Sequence, residues 1–300
     1  MLRHQIGQAV SMLKARIGKV LHPARYDWAG IDVAFIVSTG RTGTRKLASL
    51  LTAAFERVDA RHEPPPDMFD LGTGHIRSKL STDEALRRLR RDREYICGQL
   101  HSSGCDYYIE SNNNLGLLLP VAKACFPDCR IVHVVRNGRD FVRSAYSKTV
   151  RSATRRGAKA LVMSEDDPRR RLAATDFPDD RFCDRWAQMS RFERLCWLWV
   201  KLDSLIRASI AGDTRRALTV KFEDVFNQAS GYQAFWEVVE FLGLKQRMSL
   251  TTGELHQLMG VKENRTENYL LPKWNEWSPQ QMRQFQAIAG EHMALYGYDA

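Results

Sequence analysis

Short apolar runs recur along the chain and alternate with longer stretches in which apolar positions return every three or four residues. The runs are typical of buried strands, and the longer stretches are typical of amphipathic helices. The predicted strands cover 32–37, 57–60, 107–110, 130–135 and 216–222, and the predicted helices cover 43–55, 82–94, 114–125 and 139–150. This alternation predicts an α/β fold with a parallel sheet of about five strands between helices. Ligands of such sheets bind beyond the carboxyl ends of the strands, so the loops after 37, 60, 110 and 135 should share one rim.

Two regions depart from this pattern. Residues 150–190 contain a polar, arginine-rich stretch that predicts a helical insertion or lid within one domain spanning 1–300. A long helix over about 184–210 follows, and its apolar positions should lie in the core: Trp186, Phe192, Leu195, Trp197, Trp199 and Leu202. Within residues 1–30, positions 1–21 have the spacing of a basic amphipathic helix. This helix could dock on the protein's own surface, contact a membrane surface or pair in a dimer.

Composition narrows the class of protein. The net charge of +10 suggests an acidic partner such as a nucleotide, a nucleic acid, an anionic glycan or a membrane surface. The six cysteines show no paired C-x2-C spacing, so we expect reduced thiols and neither a zinc site nor a disulfide framework. No stretch approaches about eighteen uncharged apolar residues, and the N-terminus has no signal-peptide core. We therefore expect a cytoplasmic protein, with peripheral contact to the inner membrane face as an option for residues 1–21.

The first strand leads into a turn, Ser38-Thr-Gly-Arg-Thr-Gly-Thr44, that opens a helix. Its glycines permit a tight turn, and the first amides of the helix and its positive dipole end attract an anion. A Walker A loop would have Gly-x4-Gly-Lys-Ser/Thr, but Arg45 stands five residues after the first glycine, so the NTPase lysine and magnesium-binding hydroxyl are missing from their usual places. A plain strand-to-helix turn is the alternative. The predicted phosphate-binding residues are Gly40, Arg41, Thr42, Gly43, Thr44, Arg45 and Lys46.

A second anion-binding group follows the strand 130–135. Arg136 stands at the end of this strand, and Ser144 comes eight residues later in the next helix. Because this strand end lies on the same rim as the glycine turn, the sequence predicts two separate anion sites and a ligand with two separate phosphates. The alternative for Arg136 is an ion pair with Asp140.

Together these two segments resemble the sulfotransferases that use 3′-phosphoadenosine 5′-phosphosulfate (PAPS). In that family a P-loop-like segment holds the 5′-phosphosulfate, and an Arg followed eight residues later by Ser holds the 3′-phosphate. The weaker likenesses, to the carbohydrate and bacterial branches, are 61–64, 108–112, 220–225, 273–277 and 296–299. The resemblance implies a P-loop NTPase-like three-layer sandwich, PAPS as the cosubstrate, 3′,5′-adenosine bisphosphate (PAP) as the product and no metal.

The resemblance also implies roles for single residues. Arg41 stands where the family has its catalytic Lys or Arg and would stabilise the leaving group, because a guanidinium can fork across phosphate and sulfate oxygens. Glu63 is the predicted base for the acceptor hydroxyl, with His62 and Glu110 as alternatives. Neighbouring residues of a strand point to opposite faces, so only one of Glu63 and His62 should face the cleft if the strand continues through them. Arg265 lies roughly where relatives close a loop over the 3′-phosphate.

The sequence leaves the acceptor open. A carbohydrate or glycolipid hydroxyl is the expected acceptor, although the segments 64–82 and 150–190 match no pattern that would name it. A P-loop kinase of a small alcohol is the first alternative, and a non-catalytic nucleotide or nucleic-acid binding protein is the second. No nucleic-acid partner is expected, because no RNA- or DNA-binding fingerprint is present.

Overall fold

The structure, a computed structural model, describes residues 27–155, 172–261 and 268–298, with only the backbone for 148–155. Within this part of the chain, five strands form one sheet in which every neighbouring pair is parallel. The strands are β1 (Asp32–Ser38), β2 (Val58–His62), β3 (Tyr107–Ser111), β4 (Arg130–Val135) and β5 (Ala217–Lys221). Their order across the sheet is β2-β3-β1-β4-β5. The predicted α/β fold with about five parallel strands is confirmed.

Helices connect the strands, as parallel pairing requires. The α-helices of the described ranges are α1 (Thr44–Ala54), α2 (Phe69–Ile76), α3 (Thr82–Ser103), α4 (Leu119–Cys125), α5 (Gly138–Arg155), α6 (Arg191–Ile210), α7 (Phe222–Val225), α8 (Gln233–Phe241), α9 (Thr252–Gly260) and α10 (Pro279–Leu295). The predicted helix 114–125 is divided into a 3-10 turn over Asn113–Leu117 and α4. Pro120 lies in the first turn of α4, where its missing N–H costs no hydrogen bond.

The sheet is covered on both faces, which makes β1 apolar along its whole length. Ala34 and Ile36 face a core cluster built with α1, α8 and α9. Val33, Phe35 and Val37 face the opposite cluster, built mainly with α3 and α4. The described chain therefore forms three layers, with helices on either side of the sheet.

The strand ends are level where the predicted rim should be. Ser38 at the end of β1 is in register with Val134, and Ser111 at the end of β3 is in register with His62. Consequently, the loops that follow β1, β2, β3 and β4 meet at one edge of the sheet.

The predicted insertion over 150–190 is described only in part, because residues 156–171 lie outside the described residues. Helix α5 continues to Arg155, and residues 172–190 form short turns whose apolar side chains, such as Phe182 and Trp186, join a core cluster with α5, α6 and α10. Helix α6 begins at Arg191 rather than 184, because Ser190 and Glu193 form a capping box at that point. The predicted core positions of this helix are buried, with Leu202 partly buried.

Helix α3 is longer than the predicted 82–94. Ser81 caps its start by accepting a hydrogen bond from the Glu84 amide, and Gly104 ends it in a left-handed conformation. The amphipathic helix predicted over residues 1–21 lies outside the described residues. None of the described helices combines the length and the apolar character that crossing a membrane would require.

Candidate functional site

The turn after β1 has the backbone of an anion-binding loop. Three of its residues have a positive φ, namely Gly40 at 89°, Arg41 at 62° and Gly43 at 66°. Turns of this type form concave surfaces of backbone amides that bind anions. Gly43 is also the N-cap residue of α1, and no side-chain hydrogen bond caps this helix. The first amides of α1 therefore remain available to a ligand at the turn.

The side chains beneath the turn form a hydrogen-bonded group centred on Ser38. Its Oγ accepts hydrogen bonds from the Gly40 amide at 3.1 Å and from Thr42 Oγ1 at 2.7 Å. The Ser38 hydroxyl donates to Asn113 Oδ1 at 2.6 Å. Thr39 Oγ1 is buried without a hydrogen-bond partner among the described residues. The turn is thus held in place by Ser38 at the end of β1 and by Asn113.

The two predicted anion sites are in direct contact. Arg41 Nε donates to Ser144 Oγ at 2.8 Å, and Arg136 Nη1 donates to the Arg41 carbonyl oxygen at 2.5 Å. Burial, and after it the charge of Arg136, lowers the pKa of Arg41 from its ordinary value. Two guanidinium groups this close together repel each other, so the arrangement favours an anion between them.

Arg136 has few compensating contacts of its own. Its guanidinium lies over the Phe222 ring, 4.8 Å from the ring centroid. Its ion pair with Asp140 measures 3.9 Å, and the Asp140 side chain is about half exposed. Arg136 Nε is buried and has no hydrogen-bond partner in the described part of the chain. Because an ion pair this long, to a half-exposed carboxylate, contributes little, Asp140 offsets only a small part of the positive charge of Arg136.

Glu63 lies at the same rim, just after β2. Its Oε1 accepts a hydrogen bond from Asn113 Nδ2 at 3.0 Å, so Asn113 connects this carboxylate to Ser38 and to the glycine turn. The Glu63 side chain is about one-third exposed, so solvent reaches its carboxylate.

The expectation that only one of His62 and Glu63 faces the cleft depends on a strand that continues through both residues, and this condition is not met. Strand β2 ends at His62, and Glu63 has a φ of 46°, so the alternation of side chains stops there. His62 Nε2 and Glu63 Oε2 are 3.8 Å apart. His62 Nδ1 is within hydrogen-bond distance of Ser111 Oγ, at 3.1 Å.

Glu110, the third candidate base, has a different environment. Its side chain is fully buried, and its two oxygens each lie 2.6 Å from a nitrogen of the equally buried Arg93. The Tyr108 hydroxyl and Asn112 Nδ2 also donate to it, each at 2.8 Å. A carboxylate with this many fixed donors and no access to solvent is a structural ion-pair partner rather than a base.

The last three residues of the predicted phosphate-binding set diverge. Thr44 is buried, and its carbonyl accepts a hydrogen bond from Ser111 Oγ. Arg45 is exposed. Lys46 donates to the carbonyl oxygens of Met259 and Val261 at the end of α9. Lys46 thus helps to anchor the end of α9 with these two hydrogen bonds.

Arg265 lies outside the described residues. The chain returns at residue 268 and packs on α5, where the Arg143 guanidinium lies 3.6 Å from the centroid of the Tyr269 ring. Arg143 Nε also donates to the Leu271 carbonyl at 3.2 Å, and Arg139 lies over the Trp274 ring at 4.4 Å. The two arginines of α5 thus hold the segment 268–274 against this helix.

Sequence reasoning missed Asn113 and Glu223 at the site. Asn113 was detectable in principle, because a run of three asparagines follows directly after a buried strand at the rim. Glu223 accepts a hydrogen bond from the Asn137 amide at 3.0 Å, and only the spatial proximity of β4 and β5 shows this contact. No group of three or more His, Cys, Asp or Glu that could hold a metal ion occurs among the described residues.

Comparisons with solved structures find distant similarity to sulfotransferases. A sulfotransferase from Mycobacterium tuberculosis aligns over 94% of this chain and 83% of its own, at 15% identity and a TM-score of 0.49. One from Alicyclobacillus acidocaldarius aligns over 90% and 97%, at 16% identity and a TM-score of 0.48. A sulfotransferase domain from the curacin biosynthetic pathway aligns over 90% and 99%, at 13% identity and a TM-score of 0.45.

No protein-family model matches the chain, and no characterised protein matches it in sequence. At this level of similarity the activity must be argued from the chain's own residues.

Proposed function

We propose that this protein is a PAPS-dependent sulfotransferase that transfers a sulfuryl group to a hydroxyl of a carbohydrate or glycolipid. The observation that supports this most strongly is the contact between the turn after β1 and the start of α5. It brings Arg41 into hydrogen bonds with both Ser144 and Arg136. A ligand with two separate phosphate groups on one nucleoside fits such a pair of adjoining anion sites.

The chemistry of the residues matches the proposed donor. The glycine turn and the uncapped N-terminus of α1 suit a phosphosulfate, and Arg136 with Ser144 suits a 3′-phosphate. Arg41, whose side chain reaches Ser144 and lies near the charge of Arg136, supplies positive charge at the turn.

The reaction requires one group that stabilises the leaving oxygen and another that removes the proton of the acceptor hydroxyl. The acceptor oxygen forms a bond to sulfur while the bond between sulfur and the 5′-phosphate oxygen breaks, and PAP leaves with that electron pair. Arg41 donates hydrogen bonds to the oxygen on which negative charge grows, which lowers the barrier. Glu63 takes the proton of the acceptor hydroxyl, a role that typically contributes about 10²- to 10⁴-fold in rate. Asn113 orients the Glu63 carboxylate toward the turn.

Binding of PAP tests the proposal without knowledge of the acceptor. We expect calorimetry to show binding of PAP in EDTA. Arg136→Ala should weaken it about 10- to 100-fold, because charge-assisted hydrogen bonds are each worth about 1.5–3 kcal/mol. Arg216→Ala, which removes a surface ion pair with Asp128, is the control and should bind PAP as the wild type does. Failure of the wild type to bind PAP at high micromolar concentration would refute the proposal. Binding of ATP only with magnesium would favour the kinase alternative instead.

Turnover tests the base. With labelled PAPS and a panel of sugar, glycolipid and small-molecule alcohols, we expect Glu63→Gln to lower the rate by about 10²-fold or more while PAP affinity stays within about twofold. The amide keeps the shape of the side chain and its contact with Asn113 but cannot accept the proton. A near-normal rate in this variant would move the base to another group, with His62 as the neighbour to test next.

A further inference from the structure

Two segments that the proposed mechanism does not use meet beside the site. One is 220–225, which joins β5 to α7, and the other is the end of the described chain after α10. The Tyr298 hydroxyl donates to Glu223 Oε2 at 2.8 Å. The two residues are 75 positions apart in the chain.

The other oxygen of Glu223 reaches the loop that carries Arg136. Glu223 Oε1 accepts the hydrogen bond of the Asn137 amide at 3.0 Å. Asn137 in turn accepts a hydrogen bond from the Arg139 amide at 3.0 Å, which fixes the first turn of α5. Phe222, the residue before Glu223, also contacts Arg136, because its ring lies under the Arg136 guanidinium.

The bond from Tyr298 persists at neutral pH. Burial, and after it the charge of Glu223, raises the pKa of the Tyr298 hydroxyl well above its ordinary value. The hydroxyl therefore stays protonated and remains a donor to the carboxylate.

We propose that Glu223, held by Tyr298, is a positioning residue for Arg136. Glu223 touches neither the ligand nor the reacting atoms, and it acts by fixing the backbone of the β4–α5 loop next to the guanidinium. The segment around Tyr298 would then belong to the nucleotide-binding apparatus. This inference rests on the proposed function, in which Arg136 binds the 3′-phosphate.

The sign of the effect distinguishes positioning from simple electrostatics. If Glu223 acted only through its charge, removing it would raise the affinity for an anion, because a negative charge near the site repels the ligand. If Glu223 positions Arg136, removing it lowers the affinity for ligands that carry a 3′-phosphate.

The experiment measures PAP and 5′-AMP binding by calorimetry, since 5′-AMP lacks the 3′-phosphate. Glu223→Ala should weaken PAP binding about three- to tenfold and leave 5′-AMP binding within about twofold. In an Arg136→Ala background the same substitution should have no effect on PAP. Tyr298→Phe should act in the same direction but more weakly, and Glu223→Gln should restore most of the affinity because its amide oxygen can still accept from Asn137.

Asp224→Ala is the matched control, since Asp224 is an exposed acid at the next position. It should bind PAP as the wild type does. Unchanged or increased PAP affinity in Glu223→Ala, or an equal loss in the Arg136→Ala background, would overturn the positioning role alone. A wild-type chain that binds no PAP would overturn the proposed function and this inference with it. If Glu223→Ala does not fold, the comparison of Tyr298→Phe with and without Arg136→Ala decides the question by the same criteria.

Discussion

Arg41 combines an unfavourable backbone conformation with a side-chain contact to a distant helix. Its backbone lies in the left-handed region that non-glycine residues seldom adopt, and its side chain still reaches Ser144 on another helix. Strain of this kind costs of order 1–3 kcal/mol and persists only where the surrounding contacts hold it. Here the Arg136 guanidinium bonds to the Arg41 carbonyl and provides such a contact.

Gly43 is the residue of the turn that a side chain would disturb most. A Cβ at this position would lie 2.7 Å from Phe222 Cε2, and its φ of 66° is unfavourable for other residues. We expect Gly43→Ala to lower the free energy of unfolding by about 2–4 kcal/mol in urea titrations, from φ strain and overpacking together. Gly212→Ala is the control, because Gly212 has a φ of 75° with nothing within 4 Å of the added Cβ. It should cost only about 1–2 kcal/mol. Equal losses in the two variants would show that Phe222 yields freely.

At the scale of elements, a buried polar cluster joins β4, α6 and α10. Asp203 of α6 lies 3.1 Å from His133 Nε2 on β4 and 2.6 Å from His292 Nε2 on α10. The Tyr296 hydroxyl donates to it at 2.7 Å. Arg136 follows directly after β4, and Tyr298 follows shortly after α10. The cluster therefore links the two elements whose ends contact the β4–α5 loop.

The cluster predicts a particular acid sensitivity. Burial alone would raise the pKa of Asp203, but the close approach of His133 and the hydrogen bond from His292 outweigh it and hold that pKa well below the ordinary 3.8. A depressed carboxyl pKa contributes stability that is complete above the unfolded value and is lost as the pH falls below it.

We therefore expect the free energy of unfolding of the wild type to fall more steeply between about pH 5 and 3 than that of Asp203→Asn. At pH 7 this variant should be about 1.5–3 kcal/mol less stable, since it loses hydrogen bonds to a charged group. Urea titrations across this pH range measure both quantities. Asp128→Asn, at an exposed surface pair, should follow the wild type. Parallel profiles for Asp203→Asn and the wild type would contradict the assignment.

At the scale of the whole molecule, the cysteines bear on the expected cytoplasmic setting. All six are free thiols in the structure. Burial raises the pKa of Cys97 and Cys129 to about 11, and raises that of Cys196 as well. A protonated, buried thiol reacts slowly, so these residues serve as core side chains.

We expect a thiol reagent at pH 8 to label the partly exposed cysteines first, among them Cys183, and the buried ones only after unfolding. In denaturant without reductant, all six should react. Cys183→Ser should remove one equivalent from the early phase and leave the late phase unchanged. Fewer than six reactive thiols in denaturant would reveal a disulfide and would contradict the expected cytoplasmic setting.

The sequence by itself determined the features that are local or periodic. Continuous apolar runs mark strands buried on both faces, and the polar turns at their ends mark the rim. The spacing from Gly40 to Gly43, and from Arg136 to Ser144, lies within single loops and helix turns, so these anion-binding candidates could be found without a fold. Sequence could not foresee that Glu63 leaves the strand pattern, because its positive φ depends on the neighbouring chain.

Only the tertiary structure decided which of these groups meet. Arg41 and Ser144 are 103 positions apart, and Lys46 and Met259 are 213 apart. Glu63 reaches the turn through Asn113, which lies 50 positions away. A hydrogen bond is directional and short-ranged, whereas sequence patterns report only burial and local geometry. The distant partners of Lys46, Glu110 and Glu223 therefore follow from how the helices and strands pack together, and no residue spacing encodes that packing.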